Sequence, residues 1–223
     1  MGTYAAGDAT KERIKDAARL LFYEQGVTSV SDAAICRAAE VQRGLVSYHF
    51  GGRGSLVAAI YQEFAELLRA VVRDHFAIDD PVLSYCVLEH LLLELLHRDE
   101  IMRRFYVEII QYPEVSDEEV HVQHEQFSAI LASRKDLELS DRLKIAVAMS
   151  QGTFNETVRC IENGYLSSEI KEIIDIDLMM SMSLMGFDSQ YAERIVEKTT
   201  ALTNGCRLTV DSAMIPRVEL CVD

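Results

Sequence analysis

Gln42, Arg43, Ser47, Tyr48, His49 and Arg53 crowd into one short stretch, VQRGLVSYHFGGRGSLV, residues 41–57. All six side chains can donate hydrogen bonds, and three glycines sit among the last seven residues. These types suit a polyanion read base by base. Gln42 can pair with adenine and Arg43 with guanine through two bonds each, while Leu45 offers an apolar touch to a thymine methyl. Tyr48 and His49 can donate to phosphate oxygens, with Ser47 beside them. Glycines after Phe50 let backbone N–H groups at the next helix start approach a phosphate, helped by the helix dipole and by Arg53. Thr10, Lys11 and Ser31, each near an expected helix start, are further candidates for the same backbone. Ordinary readings stand beside these: Val46 and Phe50 as core, His49 as a structural hydrogen bond, Arg43 as a solvated charge.

Other chemistry is thin. No HExxH, GxSxG or phosphate loop occurs, and no paired Glu-x-x-His set for a di-iron bundle. His121 and His124 lie three apart with Glu125 adjacent, a metal pair lacking a third ligand; a solvated polar face accounts for them as well. The five cysteines are scattered, odd in number and without ligand spacing, which reads as reduced thiols in a cytoplasm. No cofactor is expected.

The elements that must position the stretch are helical. Only three prolines interrupt 223 residues. Ile14, Ala17, Ala18, Leu21 and Phe22 mark one face of a helix over 10–25, which Gly26 ends. A short helix starts near Ser29 or Ser31, a second short one spans Gln42–His49, and a long one runs from 52–55 to Phe76. Further helices are expected from Asp80-Pro81 to His97 and over 99–112, the latter stopped by Pro113. A capping box at Ser116–Glu119 opens another to Ser133. Three more cover 140–164, 168–186 and 188–204; the tail after 208 forms a short strand or stays disordered. Helices 140–164 and 168–186 are apolar on two sides and so need two partners: their own core and a second subunit. Phe154 and Met182 are expected at that second interface.

Charge divides the chain. Residues 10–57 hold seven basic and five acidic side chains, whereas residues 58–223 hold 15 basic and 30 acidic ones. A weakly basic head sits on an acidic body, within a total of -14. Such asymmetry confines a polyanion to the head and lowers non-specific affinity. No apolar run is long enough for a membrane span, and the N-terminus lacks a signal-peptide core.

From Thr10 to Leu56 the residues resemble, without gaps, the TetR family of bacterial transcriptional regulators. The match includes Ala17-Ala18, Leu21-Phe22, Gly26, Ile35, Ala39, Val41, Gly44, Val46, Tyr48-His49-Phe50 and Leu56. The resemblance implies an all-α fold: an N-terminal three-helix helix-turn-helix domain (1–55), joined by a long helix to a C-terminal helical ligand-binding and dimerisation domain (56–208), with a tail (209–223). It implies a non-enzymatic, cytoplasmic homodimer paired through residues 140–186. Such a dimer binds a double-stranded DNA operator and releases it on meeting a small-molecule effector. It also implies a pocket in the body. Tyr61, Phe64, Tyr85 and His90 are candidate lining residues. So are Phe105, Tyr106, Ile109 and Tyr112, and, further along, Phe127, Met149, Phe154 and Asn155. Glu40 departs from the family pattern, replacing the turn glycine; at positive φ it costs about 1 kcal/mol. Two other readings stay open: a helical enzyme using His and Glu, and a small-molecule-binding or interaction protein whose DNA head has decayed.

Overall fold

The computed structural model describes residues 2–132 and 140–221. Helix α1 (Gly2–Gln25) buries Ile14, Ala18 and Phe22, spaced four apart, and closes where Gly26, at φ 84°, donates its N–H to the Phe22 carbonyl at 3.0 Å. Helix α2 (Asp32–Ala38) is capped by Ser31, whose Oγ accepts from the Ala34 N–H at 3.2 Å. Helix α3 (Leu45–Phe50) starts three residues later than expected. Gly44 adopts φ 91° and ends the turn, so Gln42 and Arg43 precede the helix instead of opening it. Helix α4 (Arg53–Phe76) then runs out of the head into the body.

The body is built around α5 (Pro81–Arg98), which follows an Asp80 cap and buries nine residues, Val82 through Leu96. Five further helices surround it: α6 (Glu100–Ile109), α7 (Pro113–Ala132), α8 (Ser140–Glu162), α9 (Ile170–Leu184) and α10 (Ser189–Thr203). A helix enclosed on all sides has to be apolar around its circumference, which accounts for LEHLLLELL. Helix α7 opens at Pro113 and not at the Ser116 capping box. Proline in the first turn gives up an N–H that has no helical partner anyway. Ser116 lies inside that turn and donates to the Ile110 carbonyl at 3.4 Å.

The expected tail boundary at 208 falls within a strand. Strands β1 (Cys206–Val210) and β2 (Pro216–Leu220) form an antiparallel hairpin in which Leu208 faces Val218. Leu208 and Met214 are buried, and Arg98 donates to the Leu208 carbonyl at 2.6 Å. The turn is shaped by Asp211, whose Oδ1 accepts from the Ala213 and Ile215 N–H groups at 3.0 Å each. The hairpin therefore belongs to the body. All five cysteines are free thiols, and no described helix is long and apolar enough to cross a membrane.

On α8 the two apolar sides separate cleanly. Phe154 and Val158 face inward, as does Met182 on α9, so Phe154 and Met182 belong to the protomer's own core. Ile145 and Met149 of α8 and Ile176 of α9 stand more than half exposed on the outer side.

Candidate nucleic-acid interface and body cavity

The head presents Gln42, Arg43, Ser47 and Tyr48 to solvent together. Tyr48 is 80% exposed, its ring edge-on to His49 at 5.0 Å, while His49 and Leu45 are half-buried. Val46 is fully buried, and α3 packs against α4 and α2. Lys11 lies half-buried with its ammonium 5.4 Å over the Phe50 ring, beside the same surface. Thr10 is half-buried nearby in sequence, and Ser31 is occupied as the α2 cap. Gly51 and Gly52 are open, but at Gly54 the Glu114 carboxylate stands where a Cβ would project. That part of the α4 start is covered by the body.

Arg53 departs from its expected role as a phosphate contact. Its Nη1 donates to Asp32 at 2.8 Å, its Nε to the Tyr112 hydroxyl at 3.1 Å, and its Nη2 to the Val27 carbonyl. Its guanidinium also covers the Phe22 ring at 5.4 Å. Each of the three guanidinium nitrogens thus donates a bond within the protein, and the side chain holds the helices together. Lys15 and Arg19 are likewise paired, both with Glu63 on α4. The exposed cations of the head are Arg13, Arg37 and Arg43.

The same junction continues through α6. Glu108 accepts from the Thr28 N–H and hydroxyl at 3.0 Å each, and Arg104 donates to the Tyr23 carbonyl at 2.8 Å. Tyr112 thus joins head to body.

The opposite face of α6 reaches the buried polar network of the body. The Tyr106 hydroxyl lies 3.0 Å from Glu119 Oε1 and 2.6 Å from Asn155 Oδ1. One hydroxyl proton serves one acceptor, so Tyr106 donates to only one of these two oxygens at a time. Burial raises the Glu119 carboxyl, although hydrogen bonds from Tyr106, Tyr61 and Asn155 pull the other way. Gln151 donates to Glu119 at 3.0 Å. Further along, the Ser150 and Ser181 hydroxyls meet at 2.7 Å, and Gln123 donates to Ser150 at 3.3 Å.

A cavity of about 70 Å³ opens between α4, α5, α7 and α8, lined by Tyr61, Phe64, Glu89, Glu119 and Gln123 among others. Burial first, then the charges of Asp177 and Glu119, push the Glu89 carboxyl up to about 8. Among the candidate lining residues, Tyr61 and Phe64 line this cavity. Tyr106 and Asn155 stand behind Glu119, and Phe154 packs edge-on to Tyr106 at 5.7 Å. Tyr85 lines an adjoining groove and meets Phe127 edge-on at 5.3 Å.

The remaining candidates lie elsewhere. Phe105, Ile109 and Phe127 are closed core, each almost fully buried. His90 turns toward α10, where its Nε2 meets the Thr203 hydroxyl at 3.1 Å, and burial lowers its pKa. Met149 is on the outer face of α8, one residue round from buried Ser150. Residues missed from the sequence are Glu89, Glu119, Gln123 and Gln151. Glu89 gave a signal: a carboxylate inside LEHLLLELL has to be answered by a cavity, a partner or a proton. Among the described residues no group of three metal-ligating side chains occurs, and His121 pairs with exposed Glu125 at 3.4 Å.

The model of bacterial regulatory proteins of the tetR family matches residues 14–60. The HTH-type transcriptional regulator TtgR of Pseudomonas putida is 28% identical over 138 residues, 59% of this chain and 63% of that one. The regulator AcrR of Shigella flexneri is 33% identical over 103 residues, 45% of this chain and 47% of that one. The chain is thus matched over roughly half the length of these curated relatives. Among solved structures, RolR in complex with resorcinol superposes with a TM-score of 0.63 at 20% identity, covering 87% of this chain and 96% of that one. SmeT, the repressor of the Stenotrophomonas maltophilia multidrug efflux pump SmeDEF, gives 0.55 at 22% identity, covering 78% and 88%. Both share the fold.

Proposed function

We propose that this chain is a member of the tetR family of bacterial regulatory proteins and acts in the cytoplasm as a dimeric repressor that releases its DNA operator when a small molecule enters the body. The observation that carries the reading is the solvent-facing set Gln42, Arg43, Ser47 and Tyr48, held on a buried Val46 within the segment the family model matches. Such donors on a short helix and its preceding turn suit a major groove. The acidic body keeps the rest of the surface off the phosphates.

Helix α6 supports a route between the two ends. Tyr106 sits in the polar network behind the cavity, while Arg104 and Glu108 grip the α1–α2 region of the head. A molecule that wedges α4 from α7 disturbs Glu119 and its Tyr106 partner, and α6 passes the shift to the head. The empty cavity, at about 70 Å³, is smaller than the several hundred Å³ that ligand pockets commonly hold. Binding therefore opens the body, as release of an operator requires.

For the second subunit, the outer face of α8 and α9 offers Ile145, Met149 and Ile176, all exposed. Met149→Glu combined with Ile176→Glu is expected to yield folded monomers by sedimentation; an unchanged dimer places the interface elsewhere. The function itself is tested by selecting genomic fragments on the purified protein at low salt. Enrichment of a pseudo-palindrome supports the repressor. No enrichment favours an interaction protein with a decayed head.

A further inference from the structure

The polar groups around the body cavity are unequal in their needs. Gln123 is only 7% exposed, and its Nε2 is committed to Ser150. Its Oε1, buried on the cavity wall, accepts from nothing among the described residues. An acceptor left without a donor costs about 1–3 kcal/mol, so the site favours a ligand that brings an N–H or O–H.

Glu89 lines the same cavity with no hydrogen-bond or ion-pair partner among the described residues. The charged and titratable groups turned toward it are mostly of its own sign. Helix α7 contributes Glu118 and Glu119, α9 contributes Asp177, and α4 and α6 contribute the neutral hydroxyls of Tyr61 and Tyr106. Among the described residues, Arg69 of α4 is the single cation on this wall; it forms no ion pair with Glu89 and stands where the cavity meets the adjoining groove. An acceptor lacking a donor, beside an acid with no cation to balance its ionised form, describes an ammonium.

The space gives the rest of the molecule. At about 70 Å³ the inner cavity admits a head group and little else. Arg69, Leu88 and Gln126 line both it and a groove of about 340 Å³ walled by Val72, Ile78 and Ile130. We propose that the effector is a primary or secondary amine on an apolar tail, its ammonium seated against Glu89 and Gln123 and its tail lying along the Val72–Ile130 groove.

This rests on the ligand-responsive reading above and names its ligand class. It also fixes a proton balance. The empty site holds Glu89 protonated at neutral pH, since burial keeps its carboxyl up near 8. Docking the ammonium converts the carboxylic acid to a carboxylate and sends one proton to solvent. Affinity then rises with pH, by up to ~tenfold per unit below the Glu89 pKa.

The test is calorimetry on the full chain without DNA, using phenylbutylamine, phenylbutanol and phenylbutyrate as probes, in buffers of different ionisation enthalpy. The amine is expected to bind at least ~tenfold tighter than the other two, with close to one proton released per ligand near about pH 6. Glu89→Gln is expected to abolish both the proton release and the preference for the amine. Gln123→Leu is expected to weaken the amine several-fold and leave the proton release in place. Circular dichroism checks that both variants are folded. The proposal is overturned if the alcohol or the carboxylate binds as tightly as the amine, if no amine binding is detected, or if folded Glu89→Gln keeps the wild-type profile. Because no DNA is present, such a failure leaves the operator selection to judge the repressor reading separately.

Discussion

Head and body spend the same side-chain chemistry in opposite solvents. On the head, Gln42, Arg43 and Tyr48 keep their donors in water. In the body, Gln123, Tyr61, Tyr106 and Glu119 hold theirs between packed helices. Exposed donors cost nothing while idle and gain strength only when a polyanion displaces counterions, so the head's function should follow salt. Buried acceptors and acids cost free energy while idle, so the body's function should follow pH and ligand. Arg53 belongs to neither class: placed in the head by its number, it is used as body chemistry.

The largest expected effect breaks that division. Arg53→Ala removes bonds to Asp32, Val27 and Tyr112 at once. Hydrogen bonds from a charged donor at a partly buried site stabilise by about 1.5–3 kcal/mol, so the head should lose about 2–3 kcal/mol. Thermal melting should show it, and the slope of DNA affinity against salt should stay the same. A flattened slope with unchanged melting would return Arg53 to the phosphates.

The next effect sharpens the body's side. Glu89 is raised from 4.5 to about 8 in the folded chain. Between those values the folded state keeps a proton that the unfolded state has released, so the stabilisation present below 4.5 is lost as pH rises through about 8. Asp177, pushed by burial to about 6, acts in the same direction over a lower window. Wild type should therefore melt lower at about pH 8 than at about pH 5, by on the order of 2 kcal/mol once cavity water is allowed for. Glu89→Gln should reduce this slope. Equal slopes in the two proteins would mean that Glu89 is solvated.

Arg43→Ala serves as the head's counterpart. It should cost DNA binding roughly 1–3 kcal/mol and relax one base pair per half-site, with no change in melting, because Arg43 touches solvent alone.

These contrasts follow what a linear pattern can encode. Spacing four apart exposed the face of Ile14, Ala18 and Phe22, and the Ser31, Asp80 and Asp188 caps marked helix starts, because both signals are local. The late start of α3 depended on Gly44 adopting a left-handed conformation, which composition alone does not announce. Arg53 finds its partners 21 to 59 residues away. Glu119 and Gln123 lie among polar residues in PEVSDEEVHVQHEQF, and only the packing of α7 against α4 and α8 turns that side inward. Aromatic residues were a poor guide to the cavity, since Phe105 and Phe127 fill space as core while acids and amides line the gap.

The smallest expected effect lies in the turn between α2 and α3. Glu40 occupies φ 54°, where an L side chain is crowded by its own backbone and glycine is not. Its amide still donates to the Arg37 carbonyl at 3.1 Å, and Val41 donates to the Cys36 carbonyl at 2.9 Å, so the turn is closed despite the strain. Glycine relieves the strain but adds freedom to the unfolded chain, which offsets part of the gain. Glu40→Gly should therefore stabilise the head by about 0.5–1 kcal/mol. The exposed carboxylate sits two residues from Gln42 and three from Arg43, within a Debye length of any phosphate they meet. Its removal should tighten operator binding beyond the stability gain, and the excess should shrink as salt rises. Glu40→Gln separates the two contributions: it keeps the strained backbone and removes the charge. If Glu40→Gln binds DNA like wild type while Glu40→Gly binds tighter, the turn's conformation limits the head; if both tighten equally, the charge does.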